Sequence, residues 1–196
     1  MKRILTIAIA ALAVAACCSA PEQGAEKSAL ETIMSRKSVR SYTDQPLSEA
    51  QIETLLRAAM AAPSGVNIQP WRFVVVTDQA VKDALQGKMY SECAAVFVIC
   101  GETQAVGRDG ELRDNPNWMA DCAAATENLL LSAEALGLGA CWTACYPYDS
   151  RMETAVEVLG IPEGTLPYAL VPVGYPAGED APKDKWKPEN IHYNVW

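Results

Sequence analysis

A single histidine, His192, is all the imidazole in this 196-residue chain, and none of its seven cysteines forms a C-x-x-C pair. That spacing excludes both a four-ligand zinc site and a thioredoxin-like redox motif. Basic residues are also few: sixteen Lys and Arg face twenty-four Asp and Glu, for a net charge of −8. So acidic a surface repels phosphodiester backbones and argues for no nucleic acid among the partners. Low-complexity tracts and internal repeats are absent. The N-terminal apolar stretch, residues 4–16, has thirteen residues, short of the roughly twenty that a transmembrane helix needs.

What is present is the composition of a compact globular protein, half hydrophobic and one-fifth charged. One domain is expected. A chain of this size buries about 70% of its unfolded surface, enough for a core without disulfide or metal staples.

Lys2-Arg3 ahead of residues 4–16 reads as a signal peptide. Val14-Ala15-Ala16-Cys17 then resembles a bacterial lipobox, in which Cys17 is lipidated and becomes the new N-terminus. The other reading is an ordinary signal peptide cut near Ala20-Pro21. The expected organisation is residues 1–16 as signal, 17–27 as tether and 28–196 as the folded domain. Such a protein is exported and membrane-anchored, on the periplasmic face or outer surface; without a working lipobox it is cytoplasmic.

Capping boxes at Ser28/Glu31 and Ser48/Gln51 predict two helix starts. Ile52, Leu55, Leu56, Ala59 and Met60 share one helical face, and that helix runs to Ala62, before Pro63. Strands are predicted at 72–77, 94–100, 140–144 and 168–174, and a short helix at 79–85 stops at Gly87. Asn115-Pro116 opens a long helix to Leu136, with proline at its first position, and Gly137 and Gly139 end it. Asp149 or Ser150 caps a helix to Leu159. From Tyr175 on, proline, charge and aromatics without periodicity suggest a wrapping segment. Alternating helices and apolar strands give an α/β or α+β class with a helix-covered sheet.

Two basic clusters stand out in so acidic a chain: Arg36-Lys37-Ser38-Val39-Arg40 and Lys183-Asp184-Lys185-Trp186-Lys187. Either could surround a phosphate, or be a solvated surface. Residues 62–71 (APSGVNIQPW) offer neutral donors and acceptors on a proline-fixed loop, which could read a heterocycle's edge or merely connect two elements. Gly137-Leu138-Gly139 lacks a third glycine and enters a strand, so it is no dinucleotide fingerprint.

In order, R-K-S-V-R, A-P-S-G-V-N-I-Q-P-W, E-A-L-G-L-G-A-C-W-T-A and P-K-D-K-W-K-P ahead of I-H-Y-N resemble the nitroreductase family along residues 29–196. The resemblance implies a three-layer α+β fold, with a central, mostly antiparallel sheet flanked by helices, in an intertwined homodimer with FMN at the interface. It implies that Arg36, Lys37, Ser38 and Arg40 contact the FMN phosphate and pyrimidine edge, completed by Lys183 and Lys185. Pro63, Ser64, Gly65 and Asn67 would face the flavin of the other subunit, and Trp142, Thr143 and Ala144 would lie along the ring near N5.

The activity so implied is FMN-dependent transfer of electrons from NAD(P)H to nitroaromatic, quinone or related acceptors by a ping-pong mechanism. The chain departs from the family at Ser64-Gly65, where many members have two serines, and at Ala144, where well-studied members have a glutamate. It names no side-chain acid or base. Export would also remove it from NAD(P)H, so either another donor serves there or the chain is not exported. Two other readings stay open: a flavin-binding lipoprotein without turnover, and a cysteine hydrolase pairing His192 with one of Cys93, Cys100, Cys122, Cys141 and Cys145. Whether Cys141 and Cys145 form a disulfide is open as well.

Overall fold

The computed structural model describes residues 27–107 and 109–196. The expected signal peptide, the lipobox at Cys17 and nearly all of the tether lie outside the described residues. Both predicted capping boxes form. Ser28 Oγ accepts the Glu31 N–H at 3.3 Å while the Glu31 carboxylate accepts the Ser28 N–H at 2.7 Å, opening α1 (Ala29–Ser35). Ser48 and Gln51 repeat the arrangement at 3.2 and 2.9 Å ahead of α2 (Glu49–Met60). Each cap satisfies helix-end donors that would otherwise lack partners, worth about 1 kcal/mol.

The chain continues through β1 (Trp71–Val76), α3 (Gln79–Ala84), α4 (Lys88–Glu92) and β2 (Ala95–Glu102). A hairpin of β3 (Gln104–Val106) and β4 (Leu112–Asp114) leads to α5 (Trp118–Ala135), then β5 (Gly139–Ala140), β6 (Thr143–Ala144), α6 (Asp149–Leu159) and β7 (Thr165–Gly174). The main sheet has the order β1-β2-β7-β5, with β6 also on β7, and every strand pairing in it is antiparallel.

Period-two alternation along β2 splits the core in two. Phe97 and Ile99 pack with Leu55 and Ala59 of α2 and with Ala125, Leu129 and Ala133 of α5. Val96, Val98 and Cys100 point the other way, into a cluster with Ala155 of α6 and Leu85. Helices therefore cover both faces of the sheet, the three-layer α+β arrangement that the sequence implied. Among the described residues no helix is long and apolar enough to cross a membrane.

Several boundaries differ from expectation, each for a local reason. Helix α2 stops at Met60, because a residue before proline disfavours helical geometry and Ala62 precedes Pro63. Helix α5 begins at Trp118 with Asn117 as its cap, so Pro116 precedes the helix; the Asn115 side chain accepts the Asn117 N–H at 3.1 Å. Tyr148 caps α6 without a side-chain bond, and Asp149 is the first helical residue, where its charge suits the positive helix end. Gly87 starts α4, a helix that was not anticipated. The expected strand at 140–144 is interrupted at Cys141-Trp142: Cys141 donates to Pro172 O at 3.3 Å, and Pro172 has no N–H to return. The β3–β4 hairpin was also unforeseen; its cue is Asp109-Gly110, with Gly110 at φ +84°.

Residues 175–177 run beside 41–43, through Thr43 N–H to Tyr175 O (2.8 Å) and Ala177 N–H to Ser41 O (3.1 Å). From Ala177 to the end every residue is exposed, so this stretch does not wrap its own protomer. All five cysteines of the folded domain are buried free thiols, Cys141 and Cys145 included.

Candidate functional site

The first and third sequence motifs are neighbours in space. Val39 N–H donates to Ala140 O at 3.0 Å, and Ser38 forms a parallel bridge with Ala140. Val39 is buried against Gly139, where a Cβ would lie 2.6 Å from Val39 Cγ1. Glycine is required there because the two segments approach too closely for a side chain. The Tyr42 hydroxyl reaches the carbonyls of Val39 (2.6 Å) and Pro172 (3.1 Å), tying the arginine-bearing segment to β7. Burial raises the Tyr42 pKa, so the phenol stays a neutral donor.

Beside this seam lies a cleft of about 620 Å³ between α4, β6 and α6. Arg40, Lys88 and Arg151 line it, and no carboxylate does, in a chain of net charge −8. Lys88 makes only an exposed 3.6 Å pair with Glu92, and Arg40 and Arg151 have no ion pair among the described residues.

The 142–144 segment is braced from both sides. Arg151 Nη1 donates to Ala144 O at 2.7 Å, and its guanidinium stacks 4.8 Å over the Tyr148 ring. The Thr143 hydroxyl donates to Leu170 O, which leaves its oxygen to accept from the Tyr90 hydroxyl at 2.8 Å. Burial raises the Tyr90 pKa against the opposing hydrogen bond of Thr143, keeping that proton in place.

Of the residues singled out from the sequence, Arg40, Trp142, Thr143 and Ala144 line the cleft. Arg36 and Ser38 adjoin it at Cys141: burial pushes that thiol up, while the charge of Arg40, a hydrogen bond with Ser38 and the charge of Arg36 pull it back. Arg36 Nε pairs with Glu127 at 3.0 Å, and Lys37 Nζ with Glu134 at 3.2 Å. Glu134 is 6% exposed and also accepts from Lys27 (2.6 Å) and Ser35 (2.9 Å). Burial pushes the Glu134 carboxyl up, but the hydrogen bonds from Lys27, Ser35 and Lys37 outweigh it and hold the group below its ordinary 4.5.

The remaining residues are not brought to the cleft within one chain. Pro63, Ser64, Gly65 and Asn67 sit on the loop between α2 and β1, where Gly65 N–H donates to Asp121 Oδ1 at 2.8 Å. Lys183 and Lys185 are exposed, although Asp180, just before them, acts electrostatically on Cys141 and Tyr42. The C-terminal stretch thus departs from beside the cleft. Lys88, Tyr90 and Arg151 escaped the sequence reading because none belongs to a motif.

Among the described residues a cysteine hydrolase finds no machinery. His192 is exposed and stacks on Trp196, ring centroids 4.3 Å apart. Burial pushes the thiols of Cys100 and Cys122 up to about 12 and those of Cys93 and Cys145 to about 11. Neutral thiols are poor nucleophiles.

The Nitroreductase family model matches residues 33–94 and 86–175, most of the folded domain. The chain belongs to the Nitroreductase family. A relative from Archaeoglobus fulgidus, provisionally named an NADH dehydrogenase/NAD(P)H nitroreductase, is 37% identical over 175 residues, covering 85% of this chain and 98% of that one. A Bacteroides thetaiotaomicron crystal structure with the same provisional name superposes with a TM-score of 0.79 at 40% identity, covering 86% of this chain and 98% of that one. The FMN reductase (NADPH) of Bacillus subtilis is 29% identical over 187 residues, covering 85% of this chain and 74% of that one.

The cleft volume is within the usual range of about 300–1,000 Å³ for small-molecule sites. Its uncompensated guanidinium groups suit an anionic ligand, and Trp142 and Tyr90 give it flat apolar surface. FMN, planar and phosphorylated, fits that donor set.

Proposed function

We propose that this chain is an FMN-dependent oxidoreductase that draws reducing equivalents from NAD(P)H and passes them to nitroaromatic, quinone or related acceptors, as a homodimer. The observation that carries the reading is the cleft where Arg40 meets Trp142, Thr143 and Ala144, lined by positive and no negative side chains. Support comes also from a relative that is an FMN reductase (NADPH).

FMN supplies two-electron chemistry, taking hydride from one substrate and giving electrons to the next. In this reading Arg36, Lys37, Ser38 and Arg40 would hold its phosphate and pyrimidine edge, Lys183 and Lys185 would complete the phosphate site, and Trp142, Thr143 and Ala144 would lie along its ring. Pro63, Ser64, Gly65 and Asn67 reach the flavin held mainly by the second protomer. Arg36 can exchange Glu127 for a phosphate, because its half-buried guanidinium keeps an anionic partner either way. Lys37 can leave Glu134 because Lys27 remains on that carboxylate. The charges of Arg40, Lys88 and Arg151 favour a ligand that grows more negative as electrons arrive. Ala144 offers no acid or base, so protons come from water, and donor and acceptor use the cleft in turn, a ping-pong cycle.

The second protomer gives a place to apolar side chains that one chain leaves bare: Leu30, Ile33 and Met34 on α1, and Ile191, Val195 and Trp196 near the C-terminus. Lipidation at Cys17, with export to the periplasmic face or outer surface, belongs to the same proposal. Deleting residues 1–16 then removes the protein from the membrane fraction, and unchanged fractionation defeats the anchor.

The test of the activity is optical. Purified protein carries an oxidised-flavin spectrum, bleaches with NADH, NADPH or light under anaerobic conditions, and recovers on adding menadione or nitrofurazone. A bleached flavin that neither acceptor restores indicates a flavin-binding lipoprotein without turnover, and protein that takes up no FMN ends the proposal.

A further inference from the structure

The loop between α2 and β1 is bent more sharply than its composition favours. Val66 (φ 45°), Asn67 (φ 61°) and Gln69 (φ 55°) all occupy the left-handed region, where a β-branched residue such as Val66 is an outlier. Such geometry persists only where the surroundings over-determine it. Within the loop, Asn67 N–H donates to Ser64 O at 3.0 Å, Ile68 N–H to Gly65 O at 3.1 Å and Gln69 N–H to Ser64 Oγ at 3.0 Å. These bonds shape the turn without fixing where it points.

That fixing comes from the first turn of α5. Asp121, 5% exposed, accepts the Gly65 N–H on Oδ1 at 2.8 Å. Asn117 confines the same glycine, since a Cβ at position 65 would lie 2.8 Å from Asn117 Nδ2. Asp121 Oδ2 is buried with no hydrogen-bond partner among the described residues. A carboxylate kept in such a place, with half of its acceptor capacity unspent, is costly for a residue that only fills space.

We infer that Asp121 is a positioning residue, which presets the Ser64–Asn67 turn in its strained shape through the Gly65 amide so that the turn meets the cofactor without reorganising. The inference rests on the role given to this loop in the proposed function. Asp121→Asn is a clean control: it keeps an oxygen for Gly65 and exchanges Oδ2, which has no partner to lose.

The experiment measures hydrogen exchange of loop amides in cofactor-free full-length protein, then FMN affinity by fluorescence titration, for wild type, Asp121→Asn and Asp121→Ala. Asp121→Ala is expected to speed exchange at Gly65, Asn67 and Ile68 and to weaken FMN binding about tenfold, while Asp121→Asn stays within about twofold of wild type on both. Unchanged exchange and affinity in Asp121→Ala overturns the inference, and so does an equal loss in Asp121→Asn. Should Asp121→Ala not fold, Gly65→Ala crowds Asn117 and displaces the turn with α5 intact; FMN affinity equal to wild type then overturns it. If wild type takes up no FMN, the proposed function fails, and exchange at Gly65 still decides whether Asp121 holds the loop.

Discussion

Strand β2 and the residues after Gly178 belong to one chain yet meet opposite surroundings. From Ala95 to Gly101 every residue of β2 is buried, between β1 and β7 and beneath helices on both faces, whereas residues 179–196 are all exposed. Apolar side chains occur in both: Phe97 is fully covered, and Trp196 is 99% exposed. The comparison separates what one protomer stabilises by itself from what it leaves for a ligand or a second copy. Folding is complete at the sheet, and the proposed function is not.

The sharpest way to test that separation is paired truncation. Phe97→Ala removes a ring from the centre of the sheet and is expected to cost about 3–5 kcal/mol. Trp196→Ala is expected to change monomer stability by no more than about 0.5 kcal/mol. Urea unfolding of both variants at low protein concentration measures the two, and a similar cost for each would dissolve the contrast.

Cutting the chain after Gly178 attacks the other half of the comparison. The shortened protein is expected to keep its far-ultraviolet circular dichroism while losing bound flavin and dimeric mass by light scattering; a yellow dimer would show that the C-terminal stretch is dispensable. The narrower variant Arg36→Ala with Lys185→Ala is expected to give folded, colourless protein. A full flavin spectrum in that variant would remove the phosphate role from both side chains.

A smaller effect is expected at Glu134. Its folded-state pKa lies below the ordinary 4.5, so its contribution to stability is present above that value and fades as pH falls through the depressed one. Melting temperatures between about pH 3 and 6 should therefore fall less steeply for Glu134→Gln than for wild type. Parallel acid limbs in the two proteins would mean that Lys27, Ser35 and Lys37 do not stabilise the carboxylate.

The sequence could be read best where the determinants are local. Ser28 and Ser48 announce their helices because a capping box needs only three following residues, and β2 reads as a strand because it is apolar on both faces. Helix α4 and the β3–β4 hairpin are too short for periodicity to register. The cleft was half legible. Arg40 and Trp142–Ala144 stand in recognisable motifs, but Lys88 and Arg151 become its lining only when α4 and α6 are folded onto β6. Asp121 gave no local sign at all, because its partner is the amide of Gly65, which the sequence presents as one more loop glycine.

The strand order has a consequence for how the protein is made. β2 needs β7 as its second neighbour, with Ala95 paired to Val173 and Val98 to Leu170, so the middle of the sheet stays open until Val173 has been made. Pairings so distant in sequence close slowly. While the chain grows from Glu102 to Gly174, the apolar strand β2 lacks its second neighbour and is available to chaperones before it can lock shut.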